Sequence, residues 1–373
     1  MKENKNETGE ELLDIDEKGN TIEKNKEEKK NKSTDNFCSY ILLIILFVLI
    51  SGLIYLIFNK KLSTKTIFDK TTLKNFKLKN RLFFGAITNN VQKIETLSQN
   101  GVSLIVTLGA SVGDYSHSAF EEDEAFRVDS DEFIEELKKL PEAAHKHNTY
   151  ILLDLVHLGL YSSEEPIYSP SSDNGFHNKD IKSKEMTKED ILRIQDYFVQ
   201  GAIRAKKAGF DGIEIHGGHL TLVSLFLSQK YNRRTDEYGG TDEKRARFLV
   251  EIIKKIREAI GDEMIISAKI DSIDEEAGFT ESGFITAGKC LEEAGADMIE
   301  VSGANPTQKG DMYFYNDTKK LAENLKIPVT CIGGIKTYEH ADYILKNSKI
   351  EYVAMSRALK NEPDLIKKWQ QKK

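Results

Sequence analysis

Short apolar runs alternate with longer amphipathic stretches from about residue 67 to the end of the chain. The runs have the length of buried strands, and the stretches between them have the polar starts and the period of helices. Eight strands that alternate with helices over roughly 300 residues predict an α/β fold, a (β/α)8 TIM barrel, rather than an open sheet. The predicted strands are Arg81–Ile87, Val102–Leu108, Tyr150–Val156, Gly212–Ile215, Met264–Ile270, Met298–Val301, Val329–Ile332 and Tyr352–Met355, and the clearest predicted helices are Thr187–Ala208, Thr241–Ile260 and Thr337–Lys346.

A different pattern precedes the barrel at 67–373. Residues 37–58 carry no charge, and about twenty apolar residues are enough to cross a bilayer as a helix. We therefore predict a single-pass transmembrane helix at 37–58 that contacts membrane lipid, with a disordered polar tail at 1–36 and a linker at 59–66. A buried core helix and a cleaved signal peptide are the alternatives. The absence of a polar face disfavours the first, and the long polar tail disfavours the second.

Composition narrows the classes of function. The 373 residues include 53 Lys plus Arg and 60 Asp plus Glu, a net charge of −7. This acidity opposes a nucleic-acid partner, which would need a basic face. The three cysteines, Cys38, Cys290 and Cys331, are too few for an iron–sulfur cluster or a four-thiolate zinc site. They indicate a reducing compartment.

Two histidines end the fourth predicted strand. His216 and His219 flank a glycine pair, so the sequence predicts two imidazoles on one side of a tight turn. In barrels of this kind the active site lies at the carboxyl ends of the strands. Two imidazoles at that position can donate hydrogen bonds to a single anionic or carbonyl oxygen. A zinc site is the rival interpretation, but no third ligand stands at a convincing spacing.

The last predicted strands end in small and basic residues. In barrels of this kind the backbone amides after strands seven and eight, together with a helix N-terminus, bind phosphate, and an arginine adds a charged fork. A phosphate-bearing cofactor is therefore expected here. The residues predicted to bind its phosphate, or to lie close by, are Ser302, Gly303, Gly333, Gly334, Ser356 and Arg357.

Several long motifs in this order resemble one family. The segment 208–219 (AGFDGIEIHGGH) is similar to the old yellow enzyme family, the NADH:flavin oxidoreductases, and so are 232–240 (NRRTDEYGG) and 245–248 (RARF). The segments 78–81 (LKNR) and 356–359 (SRAL) also match. The resemblance covers nearly everything after the apolar segment.

The resemblance implies an FMN-binding barrel. NADH or NADPH would give a hydride to the flavin, which would then reduce an activated alkene or another small-molecule electron acceptor. His216 and His219 would hold the substrate's carbonyl oxygen and donate more strongly as enolate charge develops. The residues that would lie against the flavin are Gly85, Ala86, Ile87, Thr88 and Gly109, and Thr88 matches the residue that bonds the flavin near O4 and N5.

Three positions depart from the family's pattern. Asp154 stands where a glutamine usually bonds the flavin's pyrimidine edge, and Lys269 stands where an arginine usually lies near N1 and O2. We hypothesise that this jointly substituted pair bonds to each other and keeps the local charge balanced. Thr221 replaces the tyrosine that usually donates a proton in ene-reducing members. A threonine hydroxyl is a much weaker acid than the phenol of a tyrosine. Tyr313 and Tyr315 are other candidates for the donor.

Two classes of function compete on this basis. The first is a membrane-anchored FMN oxidoreductase, with its barrel on the cytoplasmic face because reduced nicotinamide is a cytosolic reagent. The second is a flavin- or phosphate-ligand-binding barrel that has lost ene-reductase chemistry. A flavin barrel acting on RNA, similar to dihydrouridine synthases, is disfavoured by the acidic charge. The pattern selects neither NADH nor NADPH, and it leaves the acceptor and the oligomeric state open.

Overall fold

A computed structural model describes residues 41–52, 65–86, 88–113, 126–163, 165–177, 179–305 and 307–372. The chain divides into two units, Met1–Leu62 and Ser63–Lys373. In the first unit, residues 41–52 form helix α1. Among the described residues no helix is both long and apolar enough to cross a membrane. The predicted span 37–58 is therefore not found as such. Helix α1 is shorter than the roughly twenty residues a bilayer requires, and the rest of the span, the tail and most of the linker lie outside the described residues.

The second unit is a closed parallel barrel, as predicted. Its eight barrel strands pair in chain order, and the eighth strand also pairs with the first, so the described strands form a closed ring. A short antiparallel hairpin, β1 (Thr71–Leu73) and β2 (Phe76–Leu78), precedes it. The barrel strands are β3 (Leu82–Phe84), β4 (Leu104–Val106), β7 (Tyr150–Val156), β10 (Gly212–Gly217), β11 (Ile265–Asp271), β12 (Met298–Ser302), β13 (Val329–Cys331) and β14 (Tyr352–Met355), and the short strands outside it are β5 (Ala110–Ser111), β6 (Phe126–Arg127), β8 (Tyr168–Ser169) and β9 (Lys184–Glu185).

Helices surround the barrel and begin at polar caps. The Thr187 side chain accepts from the backbone N–H of Asp190, and the Asp190 carboxylate accepts from the backbone N–H of Thr187, which forms a capping box at the start of α5. Thr241 and Thr337 cap α7 and α10 through their side chains, so all three predicted helix starts are confirmed. The helices are α2 (Val91–Gln99), α3 (Ile134–Leu137), α4 (Lys139–His145), α5 (Lys188–Ala208), α6 (Leu222–Leu227), α7 (Asp242–Ile260), α8 (Glu281–Ala294), α9 (Tyr315–Asn324), α10 (Tyr338–Lys346), α11 (Arg357–Asn361) and α12 (Leu365–Gln371).

The interior of the barrel at the amino ends of the strands is filled with apolar side chains. Phe83 stacks on Tyr352 with ring centroids 4.5 Å apart, and Leu104, Leu152 and Met298 pack in the same cluster. The hairpin β1–β2 contributes two leucines to this cluster. Because this end is filled, space for a ligand remains only at the carboxyl ends of the strands.

Two of the motifs shared with the family stabilise the scaffold. At the amino end of the barrel, Lys79 Nζ donates to the Thr149 hydroxyl at 3.0 Å, and Asn80 Nδ2 donates to the Gly101 carbonyl at 2.7 Å. On the other side, Arg234 Nη1 donates to the Met186 carbonyl at 2.7 Å and ties the loop before α5 to the loop before α7. Both motifs therefore act by satisfying buried backbone groups.

Candidate active site

The upper interior of the barrel, at the carboxyl ends of the strands, is polar. Alternate residues of a strand share one side of the sheet, and the strand register places Glu214 beside Asp154 and Lys269 between His216 and Glu300. All five side chains are buried. Buried polar groups need partners, so these side chains form connected networks.

One network is a continuous row of hydrogen bonds. Asp154 Oδ2 lies 2.7 Å from His216 Nδ1, and His216 Nε2 lies 3.0 Å from His219 Nδ1. His219 Nε2 lies 3.0 Å from the Ser302 hydroxyl. The structure thus joins both predicted histidines, and both nitrogens of each ring have protein partners. We call these four hydrogen-bonded side chains, Asp154, His216, His219 and Ser302, the histidine row. Ser302 was predicted to lie close to the phosphate.

Asp271 holds the turn that presents His219. The backbone is left-handed at His219 (φ 60°) and Leu220 (φ 57°), which is unusual for residues with a Cβ. Asp271 Oδ1 accepts from the His219 backbone N–H at 2.8 Å, and Oδ2 accepts from the Ser224 hydroxyl. Burial raises the pKa of Asp271 to about 6. Asp271 was not among the predicted residues, although its place two residues after Lys269 puts it on the same side of β11.

Lys269 pairs with two glutamates, and not with Asp154 as hypothesised. Its Nζ lies 3.1 Å from Glu214 Oε1 and 3.1 Å from Glu300 Oε1. The neighbouring strands carry these carboxylates at the height of the ammonium group, while Asp154 turns to His216. Burial and the nearby carboxylates raise the pKa of Glu214 to about 8, and the same carboxylates raise the pKa of Lys269. One ammonium thus faces two carboxyl groups, of which Glu214 holds a proton at neutral pH.

A cavity of about 450 Å³ opens above these networks. This volume lies within the range of roughly 300–1,000 Å³ typical of small-molecule sites. The cavity extends from His219 and Lys269 at one end to a cationic end with Lys309, Lys336 and Arg357. The predicted residues that line it are Gly85, Ala86, His219, Lys269, Ser302, Gly333, Gly334, Ser356 and Arg357.

The glycine pair after β13 makes room for a loop from β12. Gly333 and Gly334 have φ of 99° and 69°. A Cβ on Gly333 would lie 2.6 Å from atoms of the Tyr313 and Phe314 rings, and a Cβ on Gly334 would lie 2.4 Å from the Gly310 carbonyl oxygen. Glycine is therefore required both by the backbone angles and by the contact with the loop.

Two cations bind this loop at the wall of the cavity. Arg357 Nη2 donates to the Gln308 carbonyl at 2.9 Å and to the Tyr313 hydroxyl. Lys336 Nζ lies 2.8 Å from Asp311 Oδ1. Lys309 and Lys336 were not predicted to contribute, and Tyr313 was predicted as a candidate proton donor rather than as a partner of Arg357. The packing of the loop brings all three to the cavity.

The remaining predicted residues lie away from the cavity lining. A Cβ on Gly109 would lie 2.8 Å from Val156, and one on Gly303 would lie 2.4 Å from the Phe314 ring, so both glycines permit close packing. Thr88 is buried, and its hydroxyl accepts from the Asn90 backbone N–H at 3.2 Å just before α2. Ile87 lies outside the described residues. Asp154 and His216 belong to the histidine row, which reaches the cavity lining through His219.

The comparison with known proteins decides the family. The profile of the NADH:flavin oxidoreductase / NADH oxidase family matches residues 66–373. The chain belongs to this family. An NADH oxidase from Thermoanaerobacter brockii is 34% identical over 262 residues, which are 65% of this chain and 39% of that protein. An NADPH dehydrogenase from Bacillus cytotoxicus is 31% identical over 316 residues, which are 80% of this chain and 90% of the relative. The chain thus spans about two fifths of the NADH oxidase and nearly all of the dehydrogenase.

Solved structures of old yellow enzyme type share the fold. Morphinone reductase in complex with tetrahydroNAD superposes with a TM-score of 0.71 at 22% identity, over 83% of this chain and 91% of that one. An old yellow enzyme homologue from Zymomonas mobilis gives a TM-score of 0.69 at 21% identity, over 82% and 93% of the two chains. The family resemblance of the sequence is confirmed, and with it an FMN-dependent NAD(P)H oxidoreductase of the old yellow enzyme type.

The residues of the cavity fit FMN. Lys309, Lys336 and Arg357 supply positive charge for a phosphate at one end. Lys269 and His219 present an ammonium group and an imidazole at the other end, where the ring system would lie. When bound, the flavin accepts a hydride from reduced nicotinamide and passes it on. The protein's own contribution is to hold the charges at the two ends apart and to present His219 at the end opposite the phosphate.

Proposed function

We propose that this FMN oxidoreductase reduces an electron-poor alkene, or a quinone of similar polarity, whose oxygen is bound beside His219. A single observation carries the proposal. One cavity has a cationic end that suits a phosphate, and the His219 imidazole lies at its other end. The buried Asp154 carboxylate supports that imidazole through His216. A barrel that only binds a phosphate ligand has no need of that supported imidazole, so the binding-module alternative is not favoured.

The proposal is tested with the purified full chain. We expect FMN to co-purify, NADPH or NADH to bleach its absorbance without oxygen, and 2-cyclohexenone or a benzoquinone to restore it. Arg357→Met should raise the Kd of FMN at least about tenfold, because it removes a charged contact of the kind used for phosphate. Arg233→Met removes an exposed arginine that pairs with Asp173 and serves as the matched control. Bound flavin that no nicotinamide reduces would favour the binding module instead.

We also propose that residues 37–58 attach the protein to a membrane. The segment is uncharged in sequence, and the described part of it, α1, exposes every large apolar side chain from Ile41 to Ile50, between 42% and 73%. Exposed apolar patches of this kind mark membrane or protein contacts. The full chain should float with liposomes in a density gradient, and a chain that starts at Ser63 should stay at the bottom. Equal behaviour of the two chains would reject the attachment.

A further inference from the structure

The histidine row lies where the reaction needs a proton and the usual donor is missing. Thr221, at the position of the family's tyrosine, donates its hydroxyl to the backbone carbonyls of His216 and Gly218, each at 2.9 Å. Tyr315 donates to the Asn347 carbonyl, away from the cavity, and Tyr313 is bound by Arg357 at the cationic end. None of these hydroxyls is directed at the His219 end of the cavity.

We propose that Asp154, His216 and His219 form a proton relay that supplies the second hydrogen of alkene reduction from His219 Nε2. The inference rests on the proposed function. His219 is the catalytic residue, because it lines the cavity. Asp154 is a positioning residue that acts through His216, and His216 holds the proton that refills His219.

The geometry allows two states of the row. A carboxylate only accepts, so His216 Nδ1 carries a hydrogen and donates to Asp154. If His216 is neutral, its Nε2 accepts from His219 Nδ1, and His219 Nε2 has no hydrogen to give. If His216 is an imidazolium, its Nε2 donates to His219 Nδ1, and His219 Nε2 carries a hydrogen toward Ser302 and the cavity. The arrangement in which His216 is an imidazolium and His219 Nε2 carries a hydrogen is the loaded state of the row.

The proton transfer balances. Once one alkene carbon has received a hydride, the neighbouring carbon is left with an electron pair that is stabilised as an enolate. That pair takes the Nε2 hydrogen of His219 while His219 Nδ1 takes the Nε2 hydrogen of His216. His216 ends neutral and still donates to Asp154, and solvent reloads it after the product leaves. No protein group is oxidised or reduced.

His219 is suited to pass a proton rather than store one. Burial, with the neighbouring His216 and Lys269, holds the pKa of His219 well below the usual range, so His219 itself stays neutral. The charged and titratable groups that face the row from the surrounding strands are Asp154, Glu214, Lys269, Asp271 and Glu300.

The decisive variant is Asp154→Asn. An asparagine oxygen still accepts from His216 Nδ1, so the hydrogen bond is kept while the negative charge at this end of the row is removed. Stopped-flow reoxidation of the reduced enzyme by 2-cyclohexenone should slow about 100-fold, within the range of general acid catalysis. Reduction of the flavin by NADPH, which needs no proton from this row, should slow far less than reoxidation does.

Thr221→Val is the matched control, because it removes the hydroxyl at the family's donor position and keeps the side-chain shape. It should retain fast reoxidation and a solvent deuterium isotope effect on that phase, which Asp154→Asn should alter. Slow reoxidation in Thr221→Val together with fast reoxidation in Asp154→Asn would overturn the relay.

A readout without turnover comes from ¹⁵N-histidine NMR of the wild type. Both ring nitrogens of His216 should carry hydrogen at pH 7 in the wild type, and one in Asp154→Asn. A neutral His216 in the wild type would overturn the proposal even if the variant fails to fold. Failure of the proposed function looks different, because the wild-type flavin would then be absent or would not be reduced by NADH or NADPH.

Discussion

The ammonium group of Lys269 lies between two carboxyl groups that have almost no access to solvent. Glu214 and Glu300 are 0% and 1% exposed, and each lies 3.1 Å from Nζ. Lys269→Met keeps most of the volume and removes the charge, so the penalty is electrostatic rather than a packing defect. Removing one partner of a buried ion pair typically costs about 3–5 kcal/mol.

The pH dependence of this penalty follows from the glutamates. A buried carboxyl group that has lost its cation stays protonated, and holding a glutamate of reference pKa about 4.3 in that form costs about 4 kcal/mol at pH 7 and about 1 kcal/mol at pH 5. Glu214 already holds a proton at neutral pH because its pKa is raised to about 8, so the new cost falls on one carboxyl group. Lys269→Met should therefore be far more destabilising at pH 7 than at pH 5.

Urea unfolding followed by circular dichroism measures the loss in free energy of unfolding of Lys269→Met at each pH. A parallel FMN titration shows how much of that loss comes from weaker flavin binding. Lys346→Met removes an exposed lysine that pairs with Asp342 at 2.7 Å, and its midpoint should match the wild type. Lys269→Met/Glu300→Gln should recover stability at pH 7, because the carboxyl group in question is gone. A loss below about 1 kcal/mol at pH 7, or an equal loss at both pH values, would refute the reasoning.

Three further predictions concern single positions. Glu214 has a folded pKa of about 8, above its unfolded value, so its contribution to stability is present at low pH and is lost as the pH rises through 8. In Glu214→Gln the urea midpoint should therefore change less with pH, between pH 5 and pH 9, than it does in the wild type. Asp271→Ala leaves the buried His219 amide without its acceptor and should lower the free energy of unfolding by about 1–3 kcal/mol in the same assay. Gly334→Ala places a Cβ against the Gly310 carbonyl and should weaken FMN binding by fluorescence titration, whereas Gly261→Ala, with φ 73° and open space, should retain it.

The barrel was predictable because its signals are local. Each strand is a short apolar run, and α5 begins at Thr187 because that side chain and Asp190 bond to backbone groups three residues away. The polar residues at the carboxyl ends of the strands were predictable in type for the same reason. Lys269 was predicted as a cation near the flavin and His219 as an imidazole at the carboxyl end of a strand, and the structure places both side chains in the lining of the cavity.

The partners of those residues were not predictable from the sequence. Asp154 was expected to bond to Lys269, yet it bonds to His216, while Lys269 lies between two glutamates on neighbouring strands. Ser302 was expected near the phosphate, and its bond to His219 was not foreseen.

The chain by itself determined the order of strands and helices, the caps, the family and the residue types at the carboxyl ends of the strands. Only the tertiary structure decided which side chains meet, because strand register and loop packing join residues that are fifty or more positions apart. Hydrogen bonds between strands depend on where each strand stops relative to its neighbours. That relation is set when the whole barrel closes, and no single segment contains it.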